Sequence, residues 1–164
     1  MKKIGVISDT HGHMDDRILH HFKECDEIWH AGDIGNLRVT DALSEIATLR
    51  AVYGNIDDHE VRSQFPIDQI FEAEGLKIYI THIAGRPGKY PLRVKEVISK
   101  ENPDIFICGH SHICMVRKHP MLDVLHINPG AAGKHGFHKV RTLVKFHMDK
   151  GVPSKMEVVE LGKR

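Results

Sequence analysis

The sequence predicts an α/β fold in which two packed sheets are flanked by helices. Over the first two-thirds of the chain, short apolar runs typical of buried strands alternate with segments whose apolar residues recur at helical spacing. Over the last third, four short strand patterns follow one another with no helical pattern between them. This change from β-α alternation to consecutive strands favours two layers of sheet with helices outside them.

Ten segments are predicted as strands from their apolar or alternating composition. In chain order they are residues 3–7, 27–30, 49–53, 69–73, 76–81, 105–108, 115–118, 124–127, 143–148 and 156–161. Glu74-Gly75 joins the fourth and fifth strands and is typical of a hairpin turn. The polar stretch between the third and fourth strands, which ends at Phe65-Pro66, is predicted as a connecting segment.

Three segments have the spacing of amphipathic helices. Residues 15–23 place Ile18 and Phe22 on one face, after an aspartate that could cap the start. Residues 39–47 repeat the same pattern of apolar positions. Residues 91–100 form a third such segment, and it begins at a proline, a residue that is best tolerated in the first turn of a helix.

Five of the predicted strands end at side chains of the kind that bind metal ions. These ends are Asp9-Thr10-His11, Gly32-Asp33, Gly54-Asn55, Thr81-His82 and Gly109-His110-Ser111-His112. Taken singly, most of them also occur in ordinary turns and helix caps. Functional residues of layered α/β folds follow the C-terminal ends of strands, so we expect the five ends to meet at one edge.

The side chains at these ends combine imidazole nitrogens with hard oxygen atoms, a mixture that suits a divalent transition metal. The candidate ligands are Asp9, His11, Asp33, Asn55, His82, His110 and His112. Seven ligands are too many for one ordinary ion and suit two. The sequence therefore predicts a two-metal hydrolase site.

Composition limits the other function classes. A chain of 164 residues fits one domain, which we expect to span residues 1–164. The formal net charge of +1 gives no general attraction for nucleic acid or for an anionic membrane, so any anion must bind locally. No run approaches the length of a membrane span, and the three cysteines form no Cys-x-x-Cys pair. We expect a cytoplasmic protein without a membrane partner, and homo-oligomer formation is left open.

The ordered motifs resemble those of the calcineurin-like metallophosphoesterases, whose pattern D-x-H, G-D, G-N, H and G-H-x-H is complete here. The chain is more closely similar to the small single-domain YfcE-type branch of that family. The segments that carry this closer resemblance are Ser8-Asp9-Thr10-His11-Gly12-His13, His30-Ala31-Gly32-Asp33, Gly54-Asn55-Ile56-Asp57, Glu60-Val61-Arg62 and Asn128-Pro129-Gly130. The resemblance implies a four-layer α-β-β-α sandwich of two mixed sheets flanked by helices.

The resemblance also implies how the ligands are divided between two divalent ions that share Asp33. One ion would be held by Asp9, His11, Asp33 and His112, and the other by Asp33, Asn55, His82 and His110. Mn is the expected metal, with Ni, Fe, Zn and Mg as alternatives. The implied reaction is phosphodiester hydrolysis by a bridging hydroxide, because two ions about 3.5–4 Å apart can share a hydroxide and clamp the phosphoryl oxygens. Asp33 and Asn55 would thus serve catalysis as well as metal binding.

Three positions depart from the family pattern. Ile83-Ala84 follow His82, where this branch has Gly-His, and Ala131 follows Asn128-Pro129-Gly130, where serine is usual. Ile56 stands where protein-phosphatase relatives have a catalytic histidine after Gly-Asn. His13, two residues beyond His11, is the candidate that would replace it as the general acid; capping of the next helix is the alternative role.

Other functions remain open for the same site. A phosphomonoesterase or a nuclease would use the same ligands, but nucleases of this superfamily tend to carry capping segments and basic grooves that this chain lacks. We therefore expect a small phosphoester substrate and no nucleic acid.

A retromer subunit that resembles these enzymes serves as a protein-binding scaffold. Loss of ligand residues would favour that class, and none is lost here.

Four further residues are interpreted from their positions alone. His30 either orients a ligand or packs in the core. His135 and His138 are predicted as surface or packing residues. Asp57 either accepts hydrogen bonds from a neighbouring loop or simply belongs to its own turn.

Overall fold

The computed structural model describes residues 1–164 and contains ten strands and four helices. The strands are β1 (Lys2–Ile7), β2 (Glu27–His30), β3 (Thr48–Ala51), β4 (Asp68–Ala73), β5 (Leu76–Thr81), β6 (Ile105–Ile107), β7 (Met115–Lys118), β8 (Leu125–Asn128), β9 (Val140–Asp149) and β10 (Val152–Lys163). The helices are α1 (Asp16–Phe22), α2 (Leu37–Ser44), α3 (His59–Gln64) and α4 (Leu92–Glu101). No helix is long and apolar enough to cross a membrane.

The strands form two mixed five-stranded sheets. The first has the order β10-β9-β1-β2-β3, in which β1, β2 and β3 run parallel and β9 is antiparallel to both β1 and β10. The second has the order β4-β5-β6-β8-β7, in which β5, β6 and β8 run parallel and the two edge strands are antiparallel. The predicted α/β fold with two mixed sheets and flanking helices is confirmed.

The core is divided into three layers by the alternation of side chains along each strand. Ile4, Trp29 and Ile78 point into a central cluster between the two sheets. Side chains on the opposite faces of the same strands, such as Ile7 and Ile28, belong to a second cluster with α1 and α2. A third cluster joins the outer face of β5 and β6 to α4, through Tyr79, Phe106, Val94 and Ile98 among others. The order of layers is therefore helix, sheet, sheet, helix.

Packing between α1 and the first sheet requires a glycine on β1. A Cβ atom at Gly5 would lie 2.5 Å from the ring of Phe22, which is fully buried at the end of α1. The absence of a side chain at Gly5 lets this ring rest directly on the strand, and so brings α1 close to the loop that follows β1.

Helix α3 is the element that the sequence analysis missed. The segment before Phe65-Pro66 was predicted only as a polar connection, but it forms a helix from His59 to Gln64. Only Val61 of this helix is buried, so no apolar spacing marks it. It is instead started by Asp58, whose side chain accepts a hydrogen bond from the Val61 amide at 3.1 Å.

Strands β9 and β10 are longer than predicted. They form one antiparallel hairpin from Val140 to Lys163, whereas apolar residues mark only 143–148 and 156–161. The added residues of β10 are mostly exposed and are held by backbone pairing with β9. The added residues of β9 include the buried polar side chains of Arg141 and Thr142, which leave no apolar pattern. The remaining predicted elements agree with the structure within two residues at each end, except that α2 ends at Ser44, three residues before its predicted end at residue 47.

Candidate metal centre

The five ligand-bearing loops belong to two sheets, not to one edge of a single sheet. Three follow β1, β2 and β3 of the first sheet, and two follow β5 and β6 of the second. The loops nevertheless meet at one end of the sandwich, where the amide of His110 donates to Asp9 Oδ2 across the sheets at 3.1 Å. The sandwich thus brings together side chains that are up to 103 positions apart, from Asp9 to His112.

The candidate ligands form two clusters. Asp9, His11 and His112 make the first, and Asp33, His82 and His110 make the second, with the ligand atoms of each cluster within 4.8 Å of one another. Asn55 joins the second cluster, because its Oδ1 lies 3.0 Å from His110 Nδ1. All seven candidate ligands therefore lie close together, in two neighbouring groups.

Asp33 lies between the two clusters. Its Oδ2 is 3.2 Å from His82 Nε2 of the second cluster and 3.4 Å from His11 Nε2 of the first. Its Oδ1 accepts a hydrogen bond from the Ile56 amide at 3.1 Å, which leaves Oδ2 to face both imidazoles. This is the placement that a ligand shared by two ions requires.

Three buried ligand atoms have no hydrogen-bond partner. They are Asp9 Oδ1, His11 Nε2 and His82 Nε2, and all three lie in the space between the clusters. A buried polar atom without a partner costs about 1–3 kcal/mol, so such atoms are rare unless an ion or water completes them. A carboxylate oxygen and two imidazole nitrogens fit the coordination shell of a divalent transition metal. The site therefore fits the metal ions that the donor set suggests.

Backbone strain is concentrated at the same residues. Five candidate ligands have a positive φ, with values of 53° at Asp9, 45° at His11, 54° at Asp33, 70° at His110 and 61° at His112. This left-handed conformation is uncommon for residues other than glycine, and it costs on the order of 1–3 kcal/mol per residue. Only four other non-glycine residues in the whole chain adopt it. The loops thus hold these side chains in an arrangement that local preference opposes.

The carboxylates and imidazoles perturb one another's ionisation. Burial by itself raises the pKa of Asp33, but the contact with His82 and the Ile56 amide outweigh it and lower that pKa below its usual value. Burial by itself lowers the pKa of His82, but Asp33 and Asp9 outweigh it and raise that pKa. The pKa of His11 is lowered, mainly by burial. Carboxylates that favour a proton on His82 would equally favour a cation at that place.

Hydrogen bonds fix the tautomers of two candidate ligands. His82 Nδ1 donates to the Ala31 carbonyl at 2.7 Å, so its Nε2 carries the free lone pair. His112 Nδ1 lies 3.2 Å from His138 Nδ1, while His138 Nε2 donates to the Gly133 carbonyl at 2.8 Å. His138 Nδ1 is therefore an acceptor, and His112 Nδ1 must donate to it. The lone pair of His112 Nε2 then faces Asp9 Oδ1 at 3.1 Å.

His138 and His135 were predicted as surface or packing residues, and that interpretation misses their contacts with the site. The His135 ring lies 4.9 Å from the His11 ring, between centroids, and His138 holds His112. A Cβ atom at Gly136, between them, would lie 2.2 Å from His112 Nδ1. The pattern His-Gly-x-His in the chain was a signal that the loop could approach another imidazole closely.

Asp57 connects the loops that carry Asp33 and Asn55. Its carboxylate accepts three backbone hydrogen bonds, from Ile34 at 3.1 Å, Gly35 at 2.8 Å and Gly54 at 2.8 Å. Of its two alternative roles, the structure supports hydrogen bonding to a neighbouring loop. Asp57, together with the hydrogen bond from the Ile56 amide to Asp33, fixes the relative position of the loops after β2 and β3.

His30 and Asn128 form hydrogen bonds that hold the loops carrying the candidate ligands. The fully buried His30 accepts from the Gly32 amide at 3.1 Å and donates to Thr10 Oγ1 at 2.9 Å, so it joins the Asp9 loop to the Asp33 loop. Burial lowers the pKa of His30 to about 4, which keeps this imidazole neutral. Asn128 Nδ2 donates to the Gly109 carbonyl at 3.0 Å and to Ser111 Oγ at 3.1 Å. These contacts fix the loop that carries His110 and His112.

His13, the predicted general acid, contacts the cap of α1 and none of the candidate ligands. Its Nε2 lies 2.9 Å from Asp15 Oδ2, and Asp15 also accepts from the Ile18 amide and pairs with the buried Arg141 at 2.8 Å. Burial by itself raises the pKa of Asp15, but the contacts with His13, Ile18 and Arg141 outweigh it and lower the pKa to about 2. The catalytic role of His13 stays a prediction.

The three departures from the family pattern have different surroundings. Ile56 and Ile83 are each 45% exposed at the mouth of the site, next to Asn55 and His82. Ala84 is fully buried against the outer cluster of the second sheet. Ala131 is also fully buried, and its carbonyl accepts from the Thr142 amide at 3.0 Å. The two alanines are thus packing positions, whereas the two isoleucines can meet a ligand.

A layered α/β sandwich with carboxylates and imidazoles at its strand ends is typical of metal-binding hydrolases. Comparison with known families supports this class. A family model described as the calcineurin-like phosphoesterase superfamily domain matches residues 1–151. The chain belongs to this superfamily, so the resemblance inferred from its motifs is confirmed.

Individual relatives support this membership. The chain is 31% identical over 137 residues to a probable metallophosphoesterase of Methanocaldococcus jannaschii, covering 78% of this chain and 67% of the relative. It is 29% identical over 144 residues to a phosphodiesterase of the same organism, covering 78% and 82%.

Solved structures share the fold. A structure described as a novel archaeal phosphodiesterase has a TM-score of 0.75 and 24% identity, and covers 97% of this chain and 99% of its own. Vps29 from Chaetomium thermophilum has a TM-score of 0.76 and 16% identity, and covers 100% of both chains. At these identities the two structures establish the fold alone.

Proposed function

We propose that the protein hydrolyses small phosphodiesters, using two divalent metal ions that share Asp33 and a hydroxide nucleophile. Mn is the metal we expect. The observation that carries the proposal is the group of three buried atoms without partners, Asp9 Oδ1, His11 Nε2 and His82 Nε2, which lie in one space on either side of Asp33. Similarity to a phosphodiesterase of Methanocaldococcus jannaschii supports the diester as substrate.

The charge of the ligand set suits an anionic substrate. Only Asp9 and Asp33 among the seven candidate ligands are acids, and the others are imidazoles and one amide. Two divalent ions held there would provide an ionised water near neutral pH and would neutralise charge on a phosphoryl group. Because two carboxylates offset only half of the ions' charge, the site would attract anions in a chain whose net charge is only +1.

The protein's own residues would position the substrate and donate a proton to the leaving group. Asn55, held by His110 at 3.0 Å, would contact the substrate side of the second cluster. Ile56 has no group that can donate a proton, so the acid must come from elsewhere. His13, in the same loop as His11 and paired with Asp15, is the candidate.

A protein-binding scaffold is the second candidate, and the observation that favours it is the fold shared with Vps29. A scaffold has no need for three buried polar atoms without partners or for five strained ligand residues. We therefore favour hydrolysis.

A substrate panel tests the proposed reaction. The purified protein, saturated with Mn, is assayed against p-nitrophenyl phosphate, bis(p-nitrophenyl) phosphate and alkyl diesters. We expect diester hydrolysis that the variant Asp33→Ala loses. Faster hydrolysis of the monoester would favour the phosphomonoesterase alternative, and no hydrolysis of any ester would favour the scaffold.

A further inference from the structure

A cavity of about 390 Å³ opens directly beside the second cluster of candidate ligands. Asn55 and His82 form part of its wall, so a molecule in the cavity would touch the site itself. A larger cavity, of about 630 Å³, lies between the end of α4 and the turn before β8, and none of the candidate ligands lines it. Of these two cavities, the smaller is therefore the one whose contents would touch the candidate ligands.

The walls of this cavity are largely apolar. Ile67 and Ile83 lie on different loops and are 46% and 45% exposed, respectively, and both line the cavity together with Tyr53 and Val94. Single exposed apolar residues are ordinary on protein surfaces, but several that converge on one concave surface mark a binding site. Next to a cluster of carboxylates and imidazoles, such a surface has no evident structural purpose. We call it the Ile67–Ile83 pocket.

Two arginines at the same pocket differ in how their charge is balanced. Arg93 forms a salt bridge with Asp68, so its charge is neutralised. Arg62 donates only to backbone carbonyls, from Nε to Asp57 at 2.6 Å and from Nη2 to Asn55 at 3.1 Å, and its guanidinium lies 4.8 Å from the centre of the Tyr53 ring. Arg62 therefore leaves a net positive charge on the wall beside Asn55, which suits an anionic ester with an apolar body.

The pocket and the candidate acid lie at different clusters. His13 follows His11 of the first cluster, whereas the pocket is formed beside Asn55 and His82 of the second. In the proposed reaction, a departing group that needs a proton lies near His13, so the group that lies in the pocket is the one that stays on phosphorus. Only a diester has such a second ester group.

We propose that the Ile67–Ile83 pocket binds the non-departing ester group of the substrate and selects phosphodiesters in which this group is apolar and about the size of a phenyl ring. The inference rests on the proposed function and deepens it. Burial of a ring of this size, compared with a methyl group, changes the specificity constant on the order of tenfold or more.

The test compares two esters with the same leaving group, phenyl p-nitrophenyl phosphate and methyl p-nitrophenyl phosphate. For the Mn-loaded protein we expect kcat/KM to be at least about tenfold higher for the phenyl ester. Ile67→Ser and Ile83→Ser should each reduce this ratio several-fold. Ile70→Ser is the matched control, because Ile70 lies on β4, is 41% exposed and does not line the pocket; it should leave the ratio unchanged.

A binding measurement separates this inference from the proposed function. Diphenyl phosphate and dimethyl phosphate are titrated into the Mn-loaded protein by calorimetry. We expect the unmodified protein to bind diphenyl phosphate more tightly than dimethyl phosphate. We expect Ile83→Ser to bind diphenyl phosphate less tightly than the unmodified protein does. If neither nitrophenyl ester is hydrolysed, the proposed function is wrong, and the calorimetric comparison still decides about the pocket. Equal rates for both esters, or equal binding of both phosphates, would overturn the pocket assignment.

Discussion

The imidazole of His112 is oriented by another histidine. His138 accepts from His112 Nδ1 because its own Nε2 donates to the Gly133 carbonyl, and this chain of two hydrogen bonds leaves His112 Nε2 free beside Asp9. Groups that hydrogen-bond to metal-binding histidines fix their tautomer and are worth about 10–100-fold in metal affinity. His138, which lies outside the family motifs, therefore orients a candidate ligand of the first cluster.

The variant His138→Phe tests this role. It removes the acceptor, so Mn affinity at the first cluster should fall by about 10–100-fold, while the second cluster keeps its affinity. His138→Asn, whose side-chain oxygen lies near the position of Nδ1, should recover part of the loss. Calorimetric titration measures both sites, and His20→Phe, an exposed position on α1, is the control. Unchanged affinity at both sites in His138→Phe would contradict the role.

The variant His13→Ala tests the proposed general acid. A p-nitrophenolate leaves without protonation, whereas an alkoxide needs a proton, and a positioned acid is typically worth about 10²–10⁴-fold. We expect the variant to hydrolyse p-nitrophenyl diesters normally and alkyl diesters far more slowly, with His20→Ala as the control. Equal loss on both substrates would mean that His13 orients the site, and no loss on either would leave water as the proton donor.

At the scale of elements, the two sheets could be predicted because continuous apolar runs mark strands that are buried on both faces, as in β1, where Ile4 belongs to the central cluster and Ile7 to the outer one. Helix α3 could not, since one buried residue, Val61, leaves no periodic pattern. The contacts between loops could not be predicted from the sequence either. Asp57 can join the loops of Asp33 and Asn55 because β2 and β3 lie side by side in the sheet, and the sequence does not show that arrangement.

Asp57→Ala should destabilise the loops after β2 and β3. Three backbone amides would lose their acceptor in a buried place, and we expect the free energy of unfolding to fall by about 3 kcal/mol. Asp58→Ala, at the adjacent position, removes only the cap of α3 and should cost about 1 kcal/mol. Urea denaturation of the metal-free proteins measures both values. A loss in Asp57→Ala no greater than that in Asp58→Ala would contradict the bridging role.

At the scale of the whole molecule, the sandwich also buries a histidine within its layers, away from the candidate metal centre. His126 on β8 is buried in contact with the Tyr90 hydroxyl at 2.7 Å, and burial, aided by His119 and Arg117, lowers its pKa to about 4. The sequence could place the seven candidate ligands at strand ends, because their motifs are local. It could not identify the hydrogen-bond partners of His126, His30 and His138, because these partners lie on other strands and loops.

Stability should therefore fall as the pH is lowered from about 6.5 to about 4. In this range the unfolded chain binds a proton at His126 and the folded protein does not, so acid favours unfolding; above this range the full stability is retained. At pH 5 this one histidine should lower the free energy of unfolding by about 2 kcal/mol relative to pH 7. Urea denaturation at the two pH values measures the difference, which His126→Phe should reduce and His20→Phe should not. The same pH dependence in His126→Phe as in the unmodified protein would contradict this origin.

If two metal ions share Asp33, each chain binds two ions at saturation, and the number of bound ions can be counted. Calorimetric titration of the metal-free protein with Mn, checked by elemental analysis, should saturate at two equivalents per chain. Asp33→Ala should lose both sites, and His82→Ala should weaken chiefly the second, because the first keeps all of its candidate ligands. Saturation of the unmodified protein at one equivalent, or the absence of binding, would show that Asp33 does not join two metal ions.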